Sequence, residues 1–203
     1  MTTLILAVLL FTSPVLAAQP NVILITIDTL RADYLGTNGS KKVKTPNLDA
    51  LAAQGANVRR ARSAVPLTLP SHASILTGLY PPNHGIRDNA TFRLNQNVLT
   101  LAEVLKKKGY RTAAFVGSFV LDHRFGLDQG FDFYEDRTWS DANMLEHFEA
   151  ERNAETVRQA VVRWLRENSG TQPLFLWIHF YDPHAPYIPP EPFRSRYPRD
   201  PYA

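Results

Sequence analysis

Apolar positions fall along this chain in two alternating patterns. NVILITI, from Asn21 to Ile27, is an apolar, mostly β-branched run without a charged residue, the pattern of a strand covered on both faces in a parallel sheet. TPNLDALAAQG has helical spacing, with Thr45 as N-cap, Pro46 at the first helical position, Leu48, Leu51 and Ala52 on one face, and Gly55 as the stop. LNQNVLTLAEVLKKKGY, Leu94 to Tyr110, repeats it: Val98, Leu101 and Leu105 share a face, lysines crowd the last turn, and Gly109 ends the run. RTAAFVGS then reads as a short strand. A helix is expected from near Ala150 to Glu167, with Val157, Val161, Trp164 and Leu165 inward, and PLFLWIHF, Pro173 to Phe180, as another fully buried strand. Strand, helix, strand, helix, strand predicts an α/β fold, a doubly wound and mostly parallel sheet flanked by helices.

Composition narrows this to one folded domain. A chain of 203 residues with 44% hydrophobic and 20% charged positions is globular in balance, and it shows no internal repeat, low-complexity tract or linker. The net charge of +3 is spread out, so no nucleic-acid partner is implied, while a small anionic substrate is compatible. The absence of cysteine excludes disulfides, thiolate metal sites and a cysteine nucleophile. At the amino terminus, the apolar run Leu4 to Phe11, Pro14, and the small residues Ala17 and Ala18 predict a signal peptide over residues 1–18, leaving 19–203 as the mature domain. The expected location is periplasmic or extracellular. A membrane enters only if that segment stays uncleaved, and the run is shorter than the ~20 residues a span needs.

In doubly wound sheets ligands bind beyond the carboxyl ends of the strands. Asp28 stands at the first such end, in ITIDTLRADYLG. A carboxylate there is costly unless a cation or a helix N-terminus faces it, and capping of the following turn explains it equally well. In AVPLTLPSHASILTG the spacing predicts a helix from Pro70, as first helical residue, through Leu76 to a stop at Gly78. Thr68 then lies just ahead of a helix N-terminus, where dipole and free amides favour an anion. A divalent metal shared with Asp28 would make its hydroxyl a competent nucleophile; by itself a threonine there is also an ordinary cap. His179, on an apolar strand, reads as a hydrogen-bonded core histidine, whereas His184 lies past the strand end in a loop, where it could serve as an acid near neutral pH. His84 and Asn89, both in PPNHGIRDN, are either site-lining or turn residues.

The run NVILITIDTLRADYLG, then TPNLDALAAQGANVRRARSAVPLTLPSHASILTGLYPPNHGIRDN, resembles the amino-terminal half of the sulfatase family, within the alkaline-phosphatase superfamily. The resemblance covers nearly the whole mature chain and implies an alkaline-phosphatase-like fold. In that family a Cys or Ser in the pattern C/S-x-P-x-R becomes formylglycine; here the pattern reads Thr68, Leu69, Pro70, Ser71, His72. Oxidising a threonine would give a ketone rather than an aldehyde, so no formylglycine is expected, and His72 stands where the family's arginine orients the anion. The resemblance therefore leans toward members that use an unmodified threonine on phosphate or phosphonate esters. It implies Asp28 and Thr68 as ligands of a divalent ion (Ca, Mg, Mn or Zn), and Thr68 and His184 as catalytic residues. His184, in WIHFYDPHAPYIPP, matches the family histidine that meets the substrate anion or leaving oxygen. His72, His123 and Asn89 are the further substrate-binding candidates. In TAAFVGSFVLDHRFGLDQGFDFYED the family's G-K-W-H-L-G type of motif is altered: Ser118 follows Gly117, and His123 is displaced.

Family members also carry an Asp-His or Asp-Asn pair in a carboxyl-terminal half that would follow YPRDPYA, so the fold is expected to be incomplete at that end and the chain a fragment. The leading expectation is a metal-dependent hydrolase of sulfate, phosphate or phosphonate esters. Two alternatives stand beside it: a transferase moving a phospho-alcohol head group onto an envelope glycan or lipid, and a truncated, non-catalytic remnant.

Overall fold

A computed structural model describes residues 19–137, 151–185 and 187–197. The expected signal peptide lies outside them. Four strands and six α-helices occur there, besides four short 3-10 turns, in the order β1 (Val22–Ile27), α1 (Pro46–Gln54), α2 (Thr68–Thr77), α3 (Pro81–His84), α4 (Leu101–Lys107), β2 (Arg111–Phe115), β3 (Phe133–Glu135), α5 (Ala154–Glu167), β4 (Leu174–Phe180) and α6 (Phe193–Arg196). The strands form one sheet in the order β1-β4-β2-β3. Every pairing is parallel, with Thr26 of β1 beside His179 of β4. Apolar β2 and β4 occupy the middle, as strands covered on both faces should.

Two apolar layers clothe the sheet. On one face Leu69, Ala73 and Leu76 of α2 and Ala102 of α4 pack with Ala114, Phe175 and Trp177. On the other, Val157, Ala160 and Val161 of α5 cover Ala113, Phe115, Leu176 and Ile178, with Trp164 beside them. The expected doubly wound α/β arrangement is therefore present. No helix among the described residues is long and apolar enough to cross a membrane.

Several expectations change in detail. β1 is not covered on both faces: Leu24 packs on the α2 side, while Ile23 and Ile25 are 58% and 50% exposed. The reason is position, because β1 is the outer strand and α5 lies over β2 and β4. Helix α1 has the predicted Pro46 start and Gly55 end but buries no residue; Leu51 is 65% exposed. Thr45 does not cap it through its side chain, which instead accepts Gly36 N–H and donates to Asp49. The Leu94–Tyr110 pattern yields helix only over α4, because the Thr100–Glu103 capping box starts it late. Helix α5 buries its i, i+3, i+4 stripe, leaving Leu165, one residue past Trp164, at 38% exposure. The three-residue strand β3 was not foreseen.

Candidate functional site

Asp28 directly follows β1, and its N–H continues the parallel ladder by donating to Phe180 O at 2.9 Å. The next residue, Thr29, has φ of +50°. A β-branched side chain is disfavoured in that left-handed region, and the turn bends the chain away from the sheet just past the carboxylate. The Asp28 side chain is 9% exposed.

Helix α2 brings Thr68 to that carboxylate. It starts two residues earlier than Pro70 as first position would imply: Thr68 is its first residue and Leu67 its extended N-cap. Pro70 fits as the third residue because the first backbone bond of the helix is Ser71 N–H to Leu67 O, so no proline N–H is needed. The Thr68 hydroxyl donates to Asp28 Oδ2 at 2.8 Å rather than capping the helix. Asn89 Oδ1 accepts the Leu69 N–H at 3.0 Å and closes the first turn.

Two buried histidines lie behind this pair. His72 Nδ1 donates to the Thr68 carbonyl at 2.8 Å, and its ring meets that of His179 edge-on at 4.9 Å. Burial lowers the His72 pKa to about 4, so its ring is neutral near pH 7. His179 Nδ1 accepts the Gly117 N–H at 3.3 Å, and its Nε2 lies 3.6 Å from Asp28 Oδ2. Burial alone would raise the Asp28 carboxyl, but the His179 ring and then the Thr68 hydroxyl outweigh it and hold the group below its ordinary value. Asp28 is therefore a standing anion at neutral pH. Asp28, Thr68, Ser71, His72, Asn89 and His184 share the wall of a cavity of about 560 Å³.

A carboxylate and a helix-borne hydroxyl in contact at a strand end can be set against known proteins. The sulfatase family model matches residues 20–202. The chain belongs to the sulfatase family.

An arylsulfatase of Clostridium perfringens is 40% identical over 97 residues, 46% of this chain and 20% of its own length. An ulvan-active sulfatase of Formosa agariphila is 40% identical over 124 residues, 58% of this chain and 24% of its own length. The crystal structure of a phosphonate monoester hydrolase of Agrobacterium radiobacter superposes with a TM-score of 0.69 at 24% identity, over 87% of this chain and 44% of that one. This sulfatase-family chain thus spans about a fifth to a quarter of the curated relatives it matches.

Of the residues singled out from the sequence, Asp28, Thr68, His72, Asn89 and His184 meet around the cavity. His184 stacks on Tyr181 with ring centres 4.4 Å apart, and its Nδ1 donates to Ala185 O at 3.0 Å. His123 is not on the cavity wall: its Nδ1 contacts Asp136 at 2.7 Å, and it also faces Asp122, whose carboxylate is held by Arg124 at 2.7 Å. His84 is buried against Ser74 and accepts the Ile86 N–H, which ties α3 to α2. Two features were not legible in sequence. Asn89 serves the first turn of α2 through its side chain. His179, placed in the core as expected, also faces Asp28; the only signal was a lone ionisable residue in an otherwise apolar strand one position short of its end.

Proposed function

We propose that this chain carries the nucleophile and part of the metal site of a divalent-metal-dependent hydrolase of anionic esters, working outside the cytoplasm. The observation that carries this is the 2.8 Å contact between the Thr68 hydroxyl and the Asp28 carboxylate at the start of α2. The similarity to an arylsulfatase and an ulvan-active sulfatase supports sulfate esters as the substrate class, and the fold shared with a phosphonate monoester hydrolase is compatible with phosphorus esters beside them. Export is supported by the apolar Leu4–Phe11 run with Ala17 and Ala18 behind it.

Two oxygen donors in contact, one an ionised carboxylate, fit a hard cation such as Mg²⁺, Ca²⁺ or Mn²⁺ and supply two of the roughly six oxygens such an ion takes. Asp28 and Thr68 would hold it, and when bound it lowers the pKa of the hydroxyl and offsets anionic charge. The depressed Asp28 carboxyl suits a ligand better than a proton acceptor, since a base that titrates far below neutral takes up a proton poorly. The Thr68 hydroxyl releases its proton to solvent and its oxygen attacks the sulfur or phosphorus; the ester oxygen departs with the Nε2 proton of a His184 ring protonated at both nitrogens; and water then cleaves the threonyl ester, restoring the Thr68 hydroxyl and the His184 proton. The positive end of α2 favours the developing anion. A phosphorylated threonine is open to water, whereas a sulfated threonine lacks the hemiacetal route by which formylglycine sheds sulfate. Threonine therefore favours phosphate and phosphonate esters over sulfate.

The test is turnover of aryl phosphate, phosphonate and sulfate esters with Mn²⁺ by the wild-type chain and by Thr68→Ala and Thr68→Ser. Alanine is expected to lower turnover by about 10³-fold or more, with serine retaining part of it. Unchanged turnover in Thr68→Ala overturns the assignment, and product that forms only with an added alcohol acceptor assigns a transferase instead.

A further inference from the structure

We propose that His179 is a positioning residue for Asp28, its Nε2–H held by the fold against the carboxylate that Thr68 also uses. The ring is fully buried near the end of β4. A backbone amide can only donate, so the Gly117 N–H at 3.3 Å requires a lone pair on Nδ1 and puts the proton of the neutral ring on Nε2. That Nε2 has no hydrogen-bond partner among the described residues, and the nearest carboxylate oxygen is Asp28 Oδ2 at 3.6 Å. This separation is longer than a direct hydrogen bond, so the ring acts through attraction between its N–H and the carboxylate charge. Thr68 and His179 thus address the same oxygen from two elements, α2 and β4.

The anchoring is built into the backbone. A Cβ on Gly117 would lie 3.1 Å from Arg152 O and 3.2 Å from His179 O, so a larger residue would press this segment a few tenths of an ångström away from β4 and from the ring its N–H meets. The same tautomer argues against His179 as a metal ligand, because Nε2 would have to lose its proton and Nδ1 would then present an N–H to the Gly117 N–H. The partners of ligating groups set their orientation and affinity, and changing one typically costs 10–100-fold in metal binding. His72 cannot replace His179 in this role: its Nδ1 carries the proton that goes to the Thr68 carbonyl, so its Nε2 has only a lone pair.

The proposal rests on Asp28 belonging to the site put forward above, and its test separates the two ideas. The full chain, labelled with ¹⁵N in histidine and freed of metal by chelation, gives the tautomer of His179 by long-range ¹H–¹⁵N spectra; the signal is identified by its loss in His179→Gln. The expected result is the Nε2–H tautomer, with nitrogen shifts that move in Asp28→Asn. A Nδ1–H tautomer, or a ring indifferent to Asp28→Asn, overturns the proposal whether or not the protein hydrolyses anything. Mn²⁺ binding by calorimetry is the second arm. His179→Leu is expected to weaken it about tenfold or more, and His179→Gln, which keeps an N–H at a similar reach, to recover most of the loss. Equal weakening by Leu and Gln would also overturn the proposal. If the wild-type chain binds no Mn²⁺, a metal site held by Asp28 and Thr68 within this chain fails, and the spectra alone decide the role of His179.

Discussion

Replacing Asp28 by asparagine and by alanine separates its charge from its place as an acceptor. In the folded chain Asp28 Oδ2 accepts the Thr68 hydroxyl and faces His179 Nε2–H, with the side chain 9% exposed. A hydrogen bond to a charged group contributes about 1.5–3 kcal/mol. Asparagine would keep an oxygen in the same place while removing a charge that is costly to bury, so the net loss is expected to stay below about 1 kcal/mol. Alanine leaves the Thr68 hydroxyl without its acceptor and removes the carboxylate charge that the His179 N–H faces, for a loss of about 1.5–3 kcal/mol. For a domain of this size each kcal/mol moves Tm by about 2–4 °C, so Asp28→Ala should lower Tm by about 3–12 °C and Asp28→Asn by less than about 4 °C. The assay is thermal unfolding by circular dichroism with chelator present, combined with Thr68→Val in a double-mutant cycle, where a coupling above about 1 kcal/mol is expected. Because the folded carboxyl titrates below its ordinary value, its stabilisation is full above the unfolded value of about 3.9 and is lost as the pH falls through the lower folded value. The gap between wild type and Asp28→Asn should accordingly shrink toward low pH. Equal destabilisation by the two substitutions, or no coupling with Thr68→Val, would refute the acceptor role.

Three further outcomes can be checked by unfolding. The Asp136 carboxylate raises the pKa of His123, so the stabilisation from that pair is complete below about pH 6.5 and disappears as the pH rises through the raised value. His123→Ala should fall further behind wild type in Tm at about pH 5.5 than at about pH 9. Thr100 accepts Glu103 N–H and donates to Gln129 O while buried; Thr100→Val should lose about 1–3 kcal/mol in urea unfolding, with an unchanged m value. Asn89→Ala removes the acceptor of Leu69 N–H and should lose about 0.5–2 kcal/mol, and a neutral result would detach Asn89 from the start of α2.

Local rules carried most of the architecture, because burial periodicity and punctuation are properties of short segments. PLFLWIHF and RTAAF have no polar face to turn to water and became the central strands β4 and β2; Val157, Ala160, Val161 and Trp164 gave α5 its inward stripe. The same rules overstated β1 and α1. An apolar run says that a strand can be covered, but the edge position of β1 depends on strand order, which no local pattern contains. The start of α2 was misplaced for a related reason: proline suits any of the first helical positions, and the backbone bond from Ser71 to Leu67 chose the third.

Asp28 and Thr68 were each legible as chemistry-bearing residue types, one at a strand end and one near a helix start, and their family order tied them together. That they touch, at 2.8 Å across forty positions of sequence, is a tertiary fact. So is the part played by His179. On the strand it is one polar residue among apolar ones, and a core histidine is the sound inference from that pattern. Only the parallel register that sets it beside Thr26, the close approach of Gly117 and the turn at Thr29 put its Nε2 next to the Asp28 carboxylate. The sequence by itself determined which residues could do chemistry and which segments would be buried, because side-chain type and spacing are local. The pairing of the strands decided which of those residues meet, because hydrogen-bond register and close packing are set between segments far apart in the chain.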